Sequence, residues 1–342
     1  MVTHAIKPSA AVTKDYRRFR SMPKYIIDLF AGDHSLAKYY LRQDPRCRIL
    51  CIDIRDKDDS LRTVPKHLWS RIVYIQFNIK HITYLQVQEW VRKAWDVGME
   101  DVYHCHASPD CRTLSKADRG RTGYRLDDGS PNPYAAPYKQ AIVAEHDAAL
   151  NAMLTFMSDM ATKHPNACLT VENPVGYFSV QPQVRAMLRS GGGWRLKVTH
   201  YCKAANTKFD GDKSWSMKPT HILIRGGASN LELPQCNLDC PHRLSEDPSR
   251  HTTTIRIDSR SHPSQTKVTG ESRHAIPAGL FDEVNRSHMR LVTEAEKDMH
   301  EHGLTQEQVP AGLFAVIDKS HERNLVHLML KSHEIHVHDD MH

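Results

Sequence analysis

Tyr25-Ile26-Ile27-Asp28-Leu29-Phe30-Ala31-Gly32-Asp33-His34-Ser35-Leu36-Ala37 is the stretch whose reading decides the fold. An apolar run of strand length meets a glycine, and a helical pattern then runs from Ser35 to Arg42. Asp33 or Ser35 stands where a side-chain oxygen caps such a helix. A second strand, residues 48–54, ends in Asp53-Ile54, with the acid about 20 residues after Gly32, the separation of a dinucleotide-type βαβ unit. In that unit the glycine lets a ligand approach the backbone, and the acid accepts hydrogen bonds from ribose hydroxyls. An ordinary strand–helix turn has the same outline, so the pattern sets the fold class before it sets a ligand.

The rest of the chain continues the alternation. Strands are expected at residues 72–77, 101–106 and 167–172. Helices are expected at Tyr84–Trp95, with Leu85, Trp90 and Val91 inward, and at 138–163, with Ile142, Leu150, Met153, Leu154 and Met157 inward. A shorter helix is expected around 183–189, before Gly191-Gly192-Gly193. Strands alternating with helices predict an α/β fold with a doubly wound, mostly parallel, Rossmann-like sheet. In such sheets ligands gather at the carboxyl ends of the strands.

Two of those ends carry chemistry. The fourth strand runs out as His104-Cys105-His106-Ala107-Ser108-Pro109-Asp110-Cys111-Arg112-Thr113-Leu114-Ser115. It presents a thiol just past a proline, then a basic loop with Arg112, Lys116, Arg119, Arg121 and Arg125. A lone cysteine packs as a small apolar residue unless a partner activates it, so Cys111 is either core or nucleophile. The fifth strand ends in Glu172-Asn173-Pro174, which supplies an acid at the same edge, or simply forms a turn. Residues 116–138, rich in Gly, Pro, Asp and Arg, read as a mobile loop.

Composition bounds the remainder. The 342 residues are 40% hydrophobic and 25% charged, enough for a large core, and the net charge of +6 is compatible with a nucleic-acid partner. Residues 1–24 form a basic arm with Lys7, Lys14, Arg17, Arg18, Arg20 and Lys24, either solvated or in contact with phosphate. Eight scattered cysteines and no apolar leader predict reduced thiols in an intracellular protein. No apolar run is long enough for a membrane span. A strand pair, 194–202 and 220–225, flanks a polar loop with Asn206, Lys208, Lys213, Trp215 and Lys218. Cys236, Cys240 and His242 have the spacing to begin a zinc site. Near the end, Ile276-Pro277-Ala278-Gly279-Leu280-Phe281 is echoed by Val309-Pro310-Ala311-Gly312-Leu313-Phe314, read as two helix starts with proline in the first turn.

Taken together, Asp28-Leu29-Phe30-Ala31-Gly32, Ser108-Pro109-Asp110-Cys111 and Glu172-Asn173-Pro174 resemble the first, nucleophile and acid motifs of the cytosine-5 DNA methyltransferase family, in its order and spacing. The tract from Tyr201-Cys202-Lys203 to Lys218-Pro219-Thr220 is similar to the shorter phage-encoded members. Asp33-His34-Ser35 stands where the family has further glycines, and Asp110 where it has proline.

The resemblance implies a class I S-adenosylmethionine-dependent methyltransferase that methylates carbon 5 of cytosine in DNA, acting as a monomer on a base flipped from the duplex. It implies Cys111 as nucleophile, Glu172 as acid at ring nitrogen 3, Asn173 as the residue that orients the site, and Arg112 and Ser115 as contacts to phosphate or base. Asp28, Leu29, Phe30, Ala31, Gly32, Asp53, Ile54, Ser108 and Pro109 would line the cofactor site. Lys218 is the candidate for the family's later base-holding arginine. The regions expected are an arm (1–24), a catalytic domain (25–194), a target-recognition insert (195–275) and a helical C-terminal region (276–342). RNA as the substrate, or a non-catalytic nucleic-acid-binding protein that kept the fold, are the alternatives.

Overall fold

The computed structural model describes residues 23–116, 123–205, 218–226, 231–237, 239–240, 253–254, 266–267 and 276–302; the two short pairs and the last helix beyond residue 290 are described by backbone alone. Seven strands form one sheet: β1 (Tyr25–Leu29), β2 (Arg48–Asp53), β3 (Ile72–Gln76), β4 (Val102–Ala107), β5 (Cys168–Pro174), β6 (Arg195–His200) and β7 (Pro219–Arg225). Their order is β3-β2-β1-β4-β5-β7-β6. Strands β1 to β5 are parallel to their neighbours, and β7 runs antiparallel between β5 and β6. This is a doubly wound, mostly parallel, Rossmann-like α/β sheet, and its order reverses between β1 and β4, at the switch point where ligands bind in such sheets.

The helices are α1 (Ser35–Gln43), α2 (Lys57–Leu61), α3 (Tyr84–Trp95), α4 (Pro137–Lys163), α5 (Pro182–Arg189), α6 (Tyr201–Ala204) and α7 (Ala278–His302). Alternate residues of the central strands feed opposite faces, as the pleat requires. Ile26, Ile49 and Cys51 pack with Leu36, Tyr40, Tyr201 and Phe281 on one side. Ile27, Leu50 and Ile52 pack with Val87, Met153, Met157 and Val184 on the other. Both faces are therefore covered, which is why these strands read as continuous apolar runs.

Several expectations are corrected in detail. Neither Asp33 nor Ser35 caps α1: the cap residue is His34, in the left-handed region at φ 55° with no side-chain cap bond. Ser35 Oγ instead accepts the Ile276 N–H at 3.0 Å, tying α1 to the start of α7. In α3 the inward stripe is Tyr84, Val87 and Val91, and Leu85, one position off that stripe, is 71% exposed. Thr83 and Gln86 begin α3 with a reciprocal capping box that satisfies its first N–H groups. In α4 it is Val143 rather than Ile142 that is buried. Strands β6 and β7 belong to the main sheet, so the region expected to start as an insert at 195 begins inside the fold. Lys24, grouped with the basic arm, lies over the Tyr103 ring at 4.5 Å and donates to Asn285 Oδ1 at 3.5 Å. Residues 1–22 and the second Pro-Ala-Gly-Leu-Phe copy lie outside the described residues. Among the described residues no helix is long and apolar enough to cross a membrane.

The face under α1 and α7 carries an unusual load of buried imidazole. His104 Nδ1 meets Tyr40 Oη at 2.9 Å, and its Nε2 shares Thr170 Oγ1 with His106 Nδ1, both at 2.8 Å. His34 Nε2 lies 2.9 Å from Ser60 Oγ, and His288 stands edge-on to Tyr103. Burial lowers all four, His106 to about 3 and His34 and His288 to about 4, from an ordinary 6.5. These groups stay neutral in the folded chain and take up protons when it unfolds. Their stabilising contribution is complete above 6.5 and is lost as the pH falls from there to about 3. Asp28, raised by burial, works in the opposite direction but is a single group. Thermal melts between pH 8 and pH 4 should therefore show the melting temperature falling from about pH 6.5 downward; a flat profile to pH 4.5 would contradict the assignment of these histidines as neutral.

Candidate active site

The site is built by two parallel strand ends. The register pairs Ala107 of β4 with Val171 of β5, so Ser108 leaves one strand opposite Glu172 on the other. Ser108 Oγ donates to Glu172 Oε2 at 2.7 Å. One residue on, Asn173 Nδ2 donates to the Pro109 carbonyl at 3.0 Å. Glu172 is 3% exposed and Asn173 is fully buried. The buried Asn173 Oδ1 has no hydrogen-bond partner among the described residues.

From the other side come two groups carried by β6 and β7. Tyr201 Oη, on α6 just after β6, donates to Glu172 Oε1 at 2.6 Å. Lys218, leading into β7, brings Nζ to 3.8 Å from the same oxygen and 4.6 Å from the centre of the Tyr201 ring. The Tyr201 N–H donates to the Lys218 carbonyl at 3.3 Å, so the two residues are fixed to each other. Tyr201 was not singled out by sequence reasoning. A tyrosine directly before Cys202 and just after a strand is a weak signal, because only the antiparallel placement of β7 brings it back to β5.

Cys111 is half-buried beside these groups. Burial pushes its thiol above the ordinary value of 9.0, Lys218 pulls it down, and Glu172 and Asp110 push it up. The carboxylate of Glu172 and the ammonium of Lys218 thus both act on the sulfur. Asp110 is largely neutralised by its own neighbour: it accepts from the Arg112 N–H at 2.8 Å and from Arg112 Nη2 at 3.0 Å. Arg112 is accordingly held at the surface against Asp110.

The loop after Cys111 is closely tied. The Leu114 and Ser115 N–H groups donate to the Cys111 carbonyl at 3.1 and 2.8 Å. Ser115 bridges to Gly176, where an added Cβ would collide with the Leu114 carbonyl oxygen. The loop expected to be mobile is, over residues 123–136, organised around Arg125, which is 1% exposed. Its Nε donates to the Thr113 carbonyl at 2.9 Å, Nη1 to the Gly129 carbonyl at 3.1 Å, and Nη2 to Asp147 Oδ1. Arg125 therefore braces the loop from within and does not face an anionic polymer. Arg119 and Arg121 lie outside the described residues.

The second part of the site is the glycine turn. Gly32, at φ 50°, occupies the left-handed region natural to glycine, and Phe30 and His34 on either side of it also have positive φ. Asp53 Oδ2 accepts the Gly32 N–H at 3.0 Å, while Oδ1 accepts the Arg55 N–H at 3.0 Å and Arg55 Nε at 3.2 Å. Arg55 Nη2 also donates to the Gly32 carbonyl. Ile54, between them, is 61% exposed, whereas Leu29 and Ala31 are buried. Both acids are buried, and Asp28 does not stand beside Asp53 on the ligand side of the turn. It lies beneath the turn, clustered with His34 and Cys51, and burial plus the Asp53 charge holds its carboxyl well above the usual range. Ser108 and Pro109, expected to line the cofactor site, engage Glu172 and Asn173. Cys236 and Cys240 come together with Cys202, which the sequence did not link to them, while His242 lies outside the described residues.

No protein-family model matches the sequence, and no curated protein matches it. Solved structures with a similar outline include an antibiotic-related methyltransferase, 12% identical, over 65% of this chain and 96% of that one with a TM-score of 0.32. The 16S rRNA methyltransferase KamB is 13% identical, over 65% and 95%, with a TM-score of 0.30. The precorrin-6y C5,15-methyltransferase of Geobacter metallireducens GS-15 is 9% identical, over 66% and 90%, with a TM-score of 0.31.

Two outcomes follow from this geometry. Arg125→Ala strands Asp147 and two buried carbonyls and should cost about 3 kcal/mol, read by urea denaturation; a loss below about 0.5 kcal/mol would mean that the guanidinium does not brace the loop. Alkylation of Cys111 by iodoacetamide, followed by peptide mass spectrometry, should accelerate toward alkaline pH. In Lys218→Met that profile should move to still higher pH, because the cation favouring the thiolate is gone; an unmoved profile would separate Lys218 from the sulfur.

Proposed function

We propose that this chain is an S-adenosylmethionine-dependent methyltransferase that adds a methyl group to carbon 5 of cytosine in DNA. The observation that carries the reading is a half-buried thiol, Cys111, at the tip of one parallel strand, acted on by a buried carboxylate, Glu172, at the tip of the next. A thiol and an acid held together at the switch-point edge of this fold suit covalent addition to a heteroaromatic ring.

The residues of the glycine turn fit the cofactor. Gly32 leaves the backbone open to close approach, and the Asp53 carboxylate retains acceptor capacity for ribose hydroxyls beside its three present donors. Ile54 offers an exposed apolar surface to a base ring. Leu29, Phe30 and Ala31 carry the turn, and Asp28 supports it from below. Arg55, with its side chain 42% exposed, must leave the Gly32 carbonyl for a ligand to approach there. S-adenosylmethionine supplies, when bound, an electrophilic methyl group.

The chain's own residues account for the rest. Cys111, as thiolate, forms an Sγ–carbon 6 bond, and the electrons of the 5,6 double bond become available at carbon 5. Glu172 delivers a proton, taken up from solvent, to ring nitrogen 3, so that the charge developing on the ring is met there, and takes it back when the ring is restored. Ser108 and Tyr201, one on each carboxylate oxygen, fix its orientation, and Asn173 fixes the Pro109 turn that carries the thiol. Once carbon 5 carries the methyl group, loss of its proton to solvent re-forms the double bond and expels Sγ. Lys218 lies where a cation favours the thiolate and steadies the carboxylate. The target base must be extruded from the duplex to reach this edge. Arg112 and Ser115 flank the thiol, and Arg112 is free to exchange Asp110 for a phosphate.

Duplex DNA carrying 5-fluorocytosine, incubated with the chain and S-adenosylmethionine, should become covalently attached, because a fluorine at carbon 5 cannot leave as a proton does. Cys111→Ala should give no adduct while melting normally, and Glu172→Gln should slow methyl transfer by roughly 10²- to 10⁴-fold. Attachment to 5-fluorocytosine RNA alone would move the substrate to RNA. No attachment to either, with no calorimetric binding of S-adenosylmethionine, would reduce the chain to a binding protein of this fold.

A further inference from the structure

We propose that Cys202, Cys236 and Cys240 form a structural metal site that takes zinc and locks α6, and with it Tyr201, onto the sheet. The three sulfurs lie within 4.8 Å of one another, and each residue is no more than 3% exposed. A tetrahedral zinc with sulfur at about 2.3 Å sets its ligands about 3.8 Å apart, so these thiols need little movement to bind one ion. They come from distant parts of the chain, one on a four-residue helix and two on a segment with neither helix nor strand.

That segment is the second observation. Residues 231–237 lie along β6 through a few polar bonds: the His200 N–H and Thr199 Oγ1 both donate to the Pro234 carbonyl, at 3.3 and 2.8 Å. The Cys236 N–H donates to His200 Nδ1 at 3.0 Å. Lys203 Nζ pairs with Asp239 Oδ2 at 2.9 Å across the same junction. Leu233, Cys236 and Cys240 carry this irregular backbone into the apolar core, with Leu231 against it, and three converging thiols there supply the soft donor set that selects zinc. A disulfide would join two of the sulfurs and leave the third aside. Metal binding releases the protons of all three thiols, and the divalent charge offsets the thiolate charge inside an otherwise apolar cluster. The fourth position falls to a group other than these three sulfurs.

The consequence reaches the carboxylate. Cys202 directly follows Tyr201, whose hydroxyl holds Glu172 Oε1. A metal at Cys202 therefore fixes the backbone that aims Tyr201, without touching the reacting groups.

The experiment uses the full chain without an affinity tag. Elemental analysis after extensive dialysis should find one zinc per chain. Because the C-terminal histidines can also hold metal, cobalt replacement is the deciding measurement: thiolate ligation gives an intense near-ultraviolet charge-transfer band that imidazole does not. That band should be present in the native chain and lost in Cys202→Ser and Cys236→Ser. Titration with a mercurial in the presence of a metal indicator should release the zinc as three thiols are modified, and hydrogen exchange at residues 201–204 should accelerate on release. A cobalt complex without the charge-transfer band, zinc retained in the Cys202→Ser chain, or a disulfide found by mass spectrometry would overturn the proposal. None of these readouts depends on methyl transfer, so the site stands or falls apart from the catalytic reading.

Discussion

The hydrogen bond from Ser108 to Glu172 exists because β4 and β5 run parallel with Ala107 opposite Val171. A one-residue slip would turn Glu172 toward the other face and separate it from the Cys111 turn. That register is held by burial on both sides. Cys105, Ala107, Leu169 and Val171 are all fully covered by the helices of one face, and the paired His104, His106 and Thr170 hydroxyl are covered on the other. A slip would expose the first set and orphan the second. The polar chain Tyr40–His104–Thr170–His106 therefore acts as a key: its hydrogen bonds form in this alignment, and only His106 Nε2 among these side-chain groups is left without a partner among the described residues.

The antiparallel β7 has a different role. A sheet of parallel strands alone would deliver chemistry only from strand tips and the loops after them. Because β7 runs the other way, residues at its start lie at the same edge as the ends of β4 and β5. Asn173 and Pro174 pair with His221 and Thr220, and the Val175 N–H donates to the Pro219 carbonyl at 2.9 Å. Lys218 thus reaches Glu172 from a segment about 45 residues further along the chain.

The extent to which this was legible varies with the range of the interaction. The turn at Gly32 and the acid of β2 are local, so strand, glycine and acid could be read in order, and Gly32 does bond to Asp53. The adjacency of Cys111 and Glu172 was inferable because consecutive parallel strands neighbour each other in few ways. Arg125 was misread because a basic residue in a polar loop gives no sign of the buried carbonyls of Thr113 and Gly129 that it serves. Leu85 was misread because it stands directly beside the buried stripe of Tyr84, Val87 and Val91, and an apolar residue next to such a stripe does not reveal which face it takes. Tyr201 and Cys202 were missed for a topological reason. The pattern extended β6 through them, whereas the chain turns into α6 at Tyr201, which sends the hydroxyl to Glu172 and the sulfur to Cys236 and Cys240.

The electrostatics of the thiol favour its protonated form at rest. Burial is the largest influence on Cys111 and favours the neutral form; Glu172 and Asp110 reinforce it, while Lys218 and a backbone hydrogen bond to the sulfur oppose it. A resting thiol in such surroundings is protonated and protected from adventitious oxidation, which proceeds through the thiolate. Its reactivity must then be raised by whatever changes the balance of these influences. An anionic backbone that draws Arg112 away from Asp110 would leave that carboxylate less neutralised and push the thiol further up. A proton held between Glu172 and a ring nitrogen acts the other way, because it removes a negative charge that raises the thiol while leaving Lys218 in place. The balance therefore moves toward thiolate when a ring nitrogen and Glu172 share a proton, so the proposed reaction would couple activation of the nucleophile to presence of the base through Glu172.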